Sequence, residues 1–200
     1  MSGERGLDGR DEPARGDDHV ELLSELDSHD LALAMDPDET GPADAFAVEG
    51  SADPDAVFPQ SVASGGPTPS GVILWTRVDP ERFDPEVPLG VRVATDEAFE
   101  EVVFDGVVTD SDSLRAHDYT VKVDLDGRLS PDSEYYYRFA YDGVVSRTGR
   151  CRTLPRPDDS PDSLRLAVLA CQNYLNGYFP ALHYVAQEDV DFIVHLGDFI

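Results

Sequence analysis

The sequence predicts an α+β chain of two domains: a β-sandwich followed by a strand–helix–strand unit. Three observations carry that expectation. From Phe58 to about Thr153, apolar and polar residues alternate with a period of two, in short runs separated by turn residues. The ten residues LPRPDDSPDS (154–163) then hold three prolines and three aspartates, the composition of a stiff, solvated linker. Beyond them, two nearly continuous apolar runs flank a stretch with helical spacing.

Residues 1–56 are rich in Asp, Glu, Gly and Pro and read as an acidic, flexible leader. One short helix is expected within it, capped by Asp17 or Asp18, because Val20, Leu22, Leu23 and Leu26 recur at three- and four-residue spacing. Residues 57–153 divide into seven expected strands, at 57–62, 72–78, 89–95, 101–109, 119–125, 135–141 and 144–153. The turn signals GGPTPSG, VDPERFDPEVP, DGRLSPDS and YDG separate most of them. Seven short strands in under a hundred residues suggest a two-sheet sandwich of immunoglobulin or fibronectin III type. LSPDSEY (129–135) resembles the fibronectin III pattern Leu-x-Pro-x-x-x-Tyr, in which the tyrosine hydroxyl bonds back to the turn before it. Trp75, mid-strand between apolar neighbours, reads as a core residue.

The domain boundary falls in the linker at 154–162, and residues 163–200 form the second unit. LRLAVLA (164–170) reads as a strand covered on both faces, and DFIVHLGDFI (191–200) as a second buried strand that ends in a turn. Between them, NGYFPALHYVAQEDV (176–190) has helical spacing. Asn176 is its expected cap, Pro180 lies in the first turn, and Tyr178, Leu182, Val185 and Ala186 share one face. The order strand–helix–strand makes the two strands parallel, joined by a right-handed crossover.

Composition removes several function classes. The formal charge is −26, from 41 acidic and 15 basic residues. Such a chain has no basic face with which to displace counterions from a nucleic acid. It reads as the solvated acidic surface of a protein from a salt-loving organism, where the Debye length at roughly molar salt is about 3 Å and self-repulsion is screened. The two cysteines, Cys151 and Cys171, cannot build a disulfide framework and fall in different domains. No run reaches the roughly 18 apolar residues of a membrane span. There is no secretory signal and no twin-arginine pair: the apolar run LALAM (31–35) is short and has acidic flanks, so the chain as written shows no export address.

The chemistry is expected at the strand tips, because parallel strands carry their ligands at their carboxyl ends. Cys171 follows the first strand and Asp198 follows the second, after the Gly197 turn. Direct pairing sets these tips about 5 Å apart, where a thiolate and a carboxylate can share one metal or flank two. Each residue also has a purely structural reading: a cysteine after a strand packs, and a Gly-Asp turn caps. His195, three residues before Asp198 and on the opposite face of the strand, is either a hydrogen-bonded core histidine or a group that orients a ligand. Gln172, Asn173 and Tyr174 sit in the loop above the first strand, placed to meet substrate. The loop CQNYLNG has no Gly-x-Gly-x-x-Gly turn, which argues against a dinucleotide site.

FPQSVASGGPTPSGVILWTRV (58–78), SRTGRCRTLP (146–155) and LAVLACQNYLNGYFPALHYVAQEDVDFIVHLGDFI (166–200) resemble, in order, the start of PhoD-type alkaline phosphatases. The resemblance implies a fibronectin III-like sandwich joined to the first β-α-β unit of an αββα metallophosphoesterase fold. It implies metal-dependent hydrolysis of phosphate esters, with Cys171 ligating Fe3+ and Asp198 bridging that iron to Ca2+. Two departures stand out. Cys171 stands alone where many metallophosphoesterases open with Asp-x-His, and the family's tyrosine, Asn-His and later histidine ligands have no counterpart in these 200 residues. The chain is therefore expected to stop inside its catalytic domain and to have little or no turnover by itself. The rival expectation is a non-catalytic, fibronectin III-like binding module.

Overall fold

The computed structural model describes residues 33–34, 45–46, 53–173, 175 and 177–198. All of them belong to one compact unit, Leu31–Ile200. The helix expected near residues 17–26 lies outside the described residues, as do Tyr174 and Asn176. In chain order the elements are β1 (Leu33–Ala34), α1 (Pro54–Val57), β2 (Val62–Gly65), β3 (Ile73–Arg77), β4 (Leu89–Ala94) and β5 (Val102–Val108). There follow α2 (Ser111–Ala116), β6 (Thr120–Asp124), β7 (Glu134–Tyr141), β8 (Val144–Val145) and β9 (Gly149–Arg152). The chain continues with β10 (Leu166–Leu169), α3 (Pro180–Val185) and β11 (Phe192–His195).

Where the sequence predicts an α+β chain, the described residues are mostly β, and their helices are short. Two antiparallel sheets face one another, one ordered β2–β3–β6 and the other β1–β5–β4–β7–β8, with β9 also paired to β7. Period-two alternation puts Leu74 and Thr76 of β3, Leu89, Val91 and Val93 of β4, Val121 and Val123 of β6, and Tyr135, Tyr137, Phe139 and Tyr141 of β7 inside. Each large apolar side chain buried this way contributes about 1.5–3 kcal/mol. The polar atoms carried inward are bonded: Thr76 Oγ1 donates to the Ser61 carbonyl (2.8 Å), and Tyr141 Oη donates to the Asp84 carbonyl (2.7 Å). Tyr135 makes the expected corner, its hydroxyl accepting the Ser130 N–H at 2.9 Å.

Four expectations are corrected. The strand placed at 57–62 begins only at Val62. Asp53 and Pro54 start a helical turn instead, with the Asp53 side chain accepting the Asp55 N–H (3.1 Å), and Val57 and Phe58 still reach the core. A helix not anticipated from the sequence, α2, is capped by Asp110, which accepts the Ser113 N–H (2.9 Å), and it buries Leu114. The strand at 144–153 splits into β8 and β9 around Ser146. Its hydroxyl turns inward, accepting the Phe139 N–H and donating to the Arg147 carbonyl. Trp75 is not a core residue: Leu74 and Thr76 take the inner positions, so alternation leaves Trp75 half-buried on the outer face. In addition, two pieces of the segment read as a flexible leader lie on the sandwich, for β1 extends the β5 edge and Ala45–Phe46 rest over Gly90.

β10 and β11 pair in parallel, Leu166 opposite Phe192 through Leu169 opposite His195. They are not covered on both faces. Leu166 is 49% exposed, Val168 58% and Ile193 56%, and α3 buries none of its own residues. That helix is also shorter than expected. It runs from an N-cap at Phe179, and Tyr178 lies outside it, fully exposed.

Arginines of β9 hold this unit to the sandwich. Arg152 pairs with both Asp132 and Asp191, and Arg150 Nη2 donates to the Val190 carbonyl (3.1 Å) while pairing with Glu134 (3.4 Å). Asp191 Oδ2 also accepts the Arg165 N–H (2.8 Å). That amide, and then the Arg152 charge, hold the Asp191 carboxyl below the usual carboxylate range.

Three substitutions test these contacts. A Cβ on Gly71 would stand 2.4 Å from the Asp126 N and Cα and the Leu125 carbonyl. Gly71→Ala should therefore cost about 2–3 kcal/mol, and Tyr135→Phe only about 1 kcal/mol, in urea unfolding; equal effects would contradict the close approach of Gly71 to Leu125 and Asp126. Because the folded pKa of Asp191 is lowered, the stability it contributes is complete above the ordinary carboxylate value near pH 4 and is lost as pH falls through the folded value. Amide exchange in β10 and β11, corrected for intrinsic rate, should rise over that acid range. Asp191→Asn should show the faster exchange at neutral pH already.

Candidate metal centre

The pairing of β10 with β11 runs past the strands. The Leu196 N–H donates to the Leu169 carbonyl (2.8 Å), the Cys171 N–H to the Gly197 carbonyl (3.2 Å) and the Gln172 N–H to the Asp198 carbonyl (2.8 Å). The ladder thus brings Cys171 and Asp198 to adjacent tips, at the carboxyl ends of both strands. Both side chains are exposed.

The tips share a backbone feature that sequence reading did not anticipate. Cys171 and Asp198 both sit in the left-handed region, at φ of 57° and 59°, and Gly197 between strand and aspartate is at 109°. A left-handed L-residue costs roughly 1–2 kcal/mol, and aspartate tolerates it better than cysteine. At Gly197 no side chain would need to be accommodated, so glycine serves there for its φ rather than for space.

His195 lies one turn before this tip, and its Nδ1 accepts the Gly197 N–H at 3.2 Å. Accepting there puts the proton of a neutral ring on Nε2. The imidazole therefore braces the turn that presents Asp198. Asn173 is exposed, and its Oδ1 accepts the Leu175 N–H (2.9 Å), fixing the loop after Cys171. A cavity of about 340 Å³ opens beside that loop, walled by Leu169, Cys171, Gln172, Asn173, Phe179 and Pro180. Gln172 Oε1 is buried without a hydrogen-bond partner among the described residues. Phe179, the left-handed N-cap of α3 (φ 49°) directly before Pro180, was not read from the sequence as part of this wall.

A second cavity, about 290 Å³, lies where the sandwich meets the start of β11, at the opposite end of that strand from Asp198. Its charged walls, Glu134, Arg150, Arg152 and Asp191, are engaged with one another. Cys151 borders it, and burial pushes that thiol up to about 12, so it is a packed, unreactive sulfur.

The donor set suits two kinds of cation. A thiolate at Cys171 favours a softer transition metal, and a carboxylate at Asp198 can bridge to a hard, oxygen-seeking one. Among the described residues no group of three or more His, Cys, Asp or Glu side chains is gathered to hold a metal. Nor is any helix there long and apolar enough to cross a membrane.

Comparison with known proteins adds to this geometry. The PhoD-like phosphatase N-terminal domain family matches residues 43–155, and the PhoD-like phosphatase family matches residues 166–200. Alkaline phosphatase D of Bacillus subtilis (strain 168) is 38% identical over 149 residues, covering 72% of this chain and 25% of that protein. The solved structure described as that of PhoD superposes with a TM-score of 0.66 at 34% identity, over 76% of this chain and 29% of that one. The sixth fibronectin III domain of a human protein superposes at a TM-score of 0.37 and 17% identity, too distant to add to the strand order itself. The chain spans about a quarter of the length of the curated relative. With more than half of its residues matched to the N-terminal domain family, and the strand–helix–strand unit matched to the family that follows it, the chain belongs to the PhoD-like phosphatases.

Proposed function

We propose that this chain forms part of a metal-dependent phosphoric ester hydrolase. Residues 57–153 are its fibronectin III-like sandwich, 154–162 a linker, and 163–200 the first β-α-β unit of an αββα metallophosphoesterase fold. The observation that carries the reading is the ladder joining residues 171 and 172 to 197 and 198, which sets a thiol and a carboxylate side by side in left-handed positions. Cys171 and Asp198 are the residues that would hold the metals, the thiolate suiting Fe3+ and the carboxylate suiting both Fe3+ and Ca2+. When bound, such a pair of cations supplies positive charge to the phosphoryl oxygens and acidifies a water. This chain's own residues do the positioning. The Cys171–Gly197 and Gln172–Asp198 bonds hold the tips together, His195 braces the Gly197 turn, and Asn173 borders the cavity in which the ester lies. A phosphate ester is the partner; the charge of −26 argues against a nucleic-acid surface.

Two donors do not hold two cations tightly, so these 200 residues alone should show little turnover. A non-catalytic binding module is the second reading, and one observation favours it: past Thr153 no described residue is fully buried, whereas the sandwich has a complete core.

Cobalt(II) titration of the full chain separates the two readings, because a cobalt–thiolate charge-transfer band reports sulfur ligation without any need for activity. The band is expected in the unmodified chain and in Cys151→Ser, absent in Cys171→Ser and weakened in Asp198→Asn. No band, or one that survives Cys171→Ser, leaves the binding-module reading. His195→Ala should weaken the band without abolishing it. In high salt with iron and calcium, a chromogenic phosphodiester should be hydrolysed scarcely above background; brisk hydrolysis would show that the two donors suffice.

A further inference from the structure

Half of each strand in the larger sheet points away from the core. On β4 the outward residues include Gly90 and Arg92; register sets Val107 and Ala140 beside Gly90, and Asp105 and Arg138 beside Arg92. An outer face of this kind normally meets water, yet Gly90, Val107 and Ala140 are all buried. The chain's own Ala45 and Phe46 lie on it: a Cβ on Gly90 would stand 2.9 Å from the Ala45 Cβ and 3.0 Å from Phe46 Cε2. Gly90 is thus the floor that lets the ring approach the sheet.

Two arginines close over that ring. The Arg92 guanidinium carbon is 4.3 Å from the Phe46 ring centre and that of Arg138 is 5.9 Å away; Arg138 also stacks 3.8 Å over Phe99. Arg92 is fixed from the other side by Asp105, which accepts from both Nε and Nη2. Arg138 is differently placed. Its Nε is buried without a hydrogen-bond partner among the described residues, and burial, with Arg92 beside it, lowers its pKa. In a chain with 41 acidic residues, this guanidinium rests on two aromatic faces. The negative face of a ring attracts a guanidinium, and more strongly when both are desolvated.

We infer that the outer face of the larger sheet, at Gly90, Arg92, Arg138 and Phe99, is a receptor for an aromatic side chain on an acidic segment, and that Phe46 is the occupant this chain supplies. The segment is complementary in charge: in the sequence, Asp36, Asp38, Glu39, Asp44 and Glu49 flank Ala45 and Phe46, with no Lys or Arg between 35 and 52. Attraction between its carboxylates and the arginine pair is screened at molar salt, whereas ring-to-guanidinium contact acts at van der Waals range and persists. The anchor is therefore the ring, and it holds across the salt range.

A fluorine probe reads this directly. The full chain is made with 4-fluorophenylalanine at position 46, and its 19F resonance is compared with that of a synthetic peptide of residues 41–52 bearing the same ring. The chain's resonance should be displaced from the peptide's at low and at roughly molar salt. Arg138→Gln should move it most of the way to the peptide position. Gly90→Val, which raises the floor and leaves both arginines in place, should do the same, with circular dichroism confirming that each variant keeps its sheet. Arg138→Lys, which retains charge but not the planar face, should lie between. A resonance coincident with the peptide's, or unmoved by both substitutions, overturns the proposal. So does a displacement that vanishes at molar salt, which would assign the anchoring to the carboxylates.

Discussion

The strand–helix–strand unit of this chain has no fully buried side chain among its described residues, so its geometry rests on main-chain pairing and on the arginines that reach it from the sandwich. Arg150 and Arg152 reach from β9 to Val190 and Asp191, just before β11. The Arg165 amide closes on the same Asp191, so one carboxylate ties together the start of β10, the start of β11 and the sandwich. Ion pairs this exposed are individually weak, but the Asp191 side chain is only 16% exposed and is bonded by both the Arg152 guanidinium and the Arg165 amide. A unit without a core of its own depends on such attachment more than a self-sufficient domain would.

From that anchored end, the two strands carry order outward to their tips. Parallel pairing transmits register along the ladder, and the bonds at Leu196, Cys171 and Gln172 show it persisting beyond the strands themselves. At the end the backbone enters unfavourable conformations at both Cys171 and Asp198. Such strain can mark functional positions, and here it coincides with the two proposed donors and with the His195 contact to Gly197. The sandwich contributes by being stiff: four inward tyrosines and phenylalanines on β7, with their hydroxyls bonded at Tyr135 and Tyr141, leave β9 little freedom to shift the arginines it bears.

The sandwich uses both sides of its larger sheet, one to form the core and the other to hold Phe46. This is a sound arrangement for a chain of charge −26. Arg92 and Arg138 act over short range on aromatic rings, and Arg152 in paired carboxylates at the junction, contacts that salt screens less than long-range attraction.

Much of this was legible from residue order alone. Alternation in YYYRFAY and LGVRV announced the strands because one face of a sheet must be dry, and LSPDSEY announced the tyrosine corner because its bond spans only five residues. The adjacency of Cys171 and Asp198 followed from the strand–helix–strand order, which makes two paired strands parallel and sets their tips at one end. Three things depended on the folded chain. An apolar run such as ILW fits either phase of the sheet, and only packing put Leu74 inside and Trp75 out. The left-handed conformation at Cys171 is one that no local propensity at that residue encodes. The seat of Phe46 joins residues more than forty positions apart, across two strands and a glycine. Sequence determines what repeats locally; contacts between distant segments exist only once the tertiary structure has brought them together.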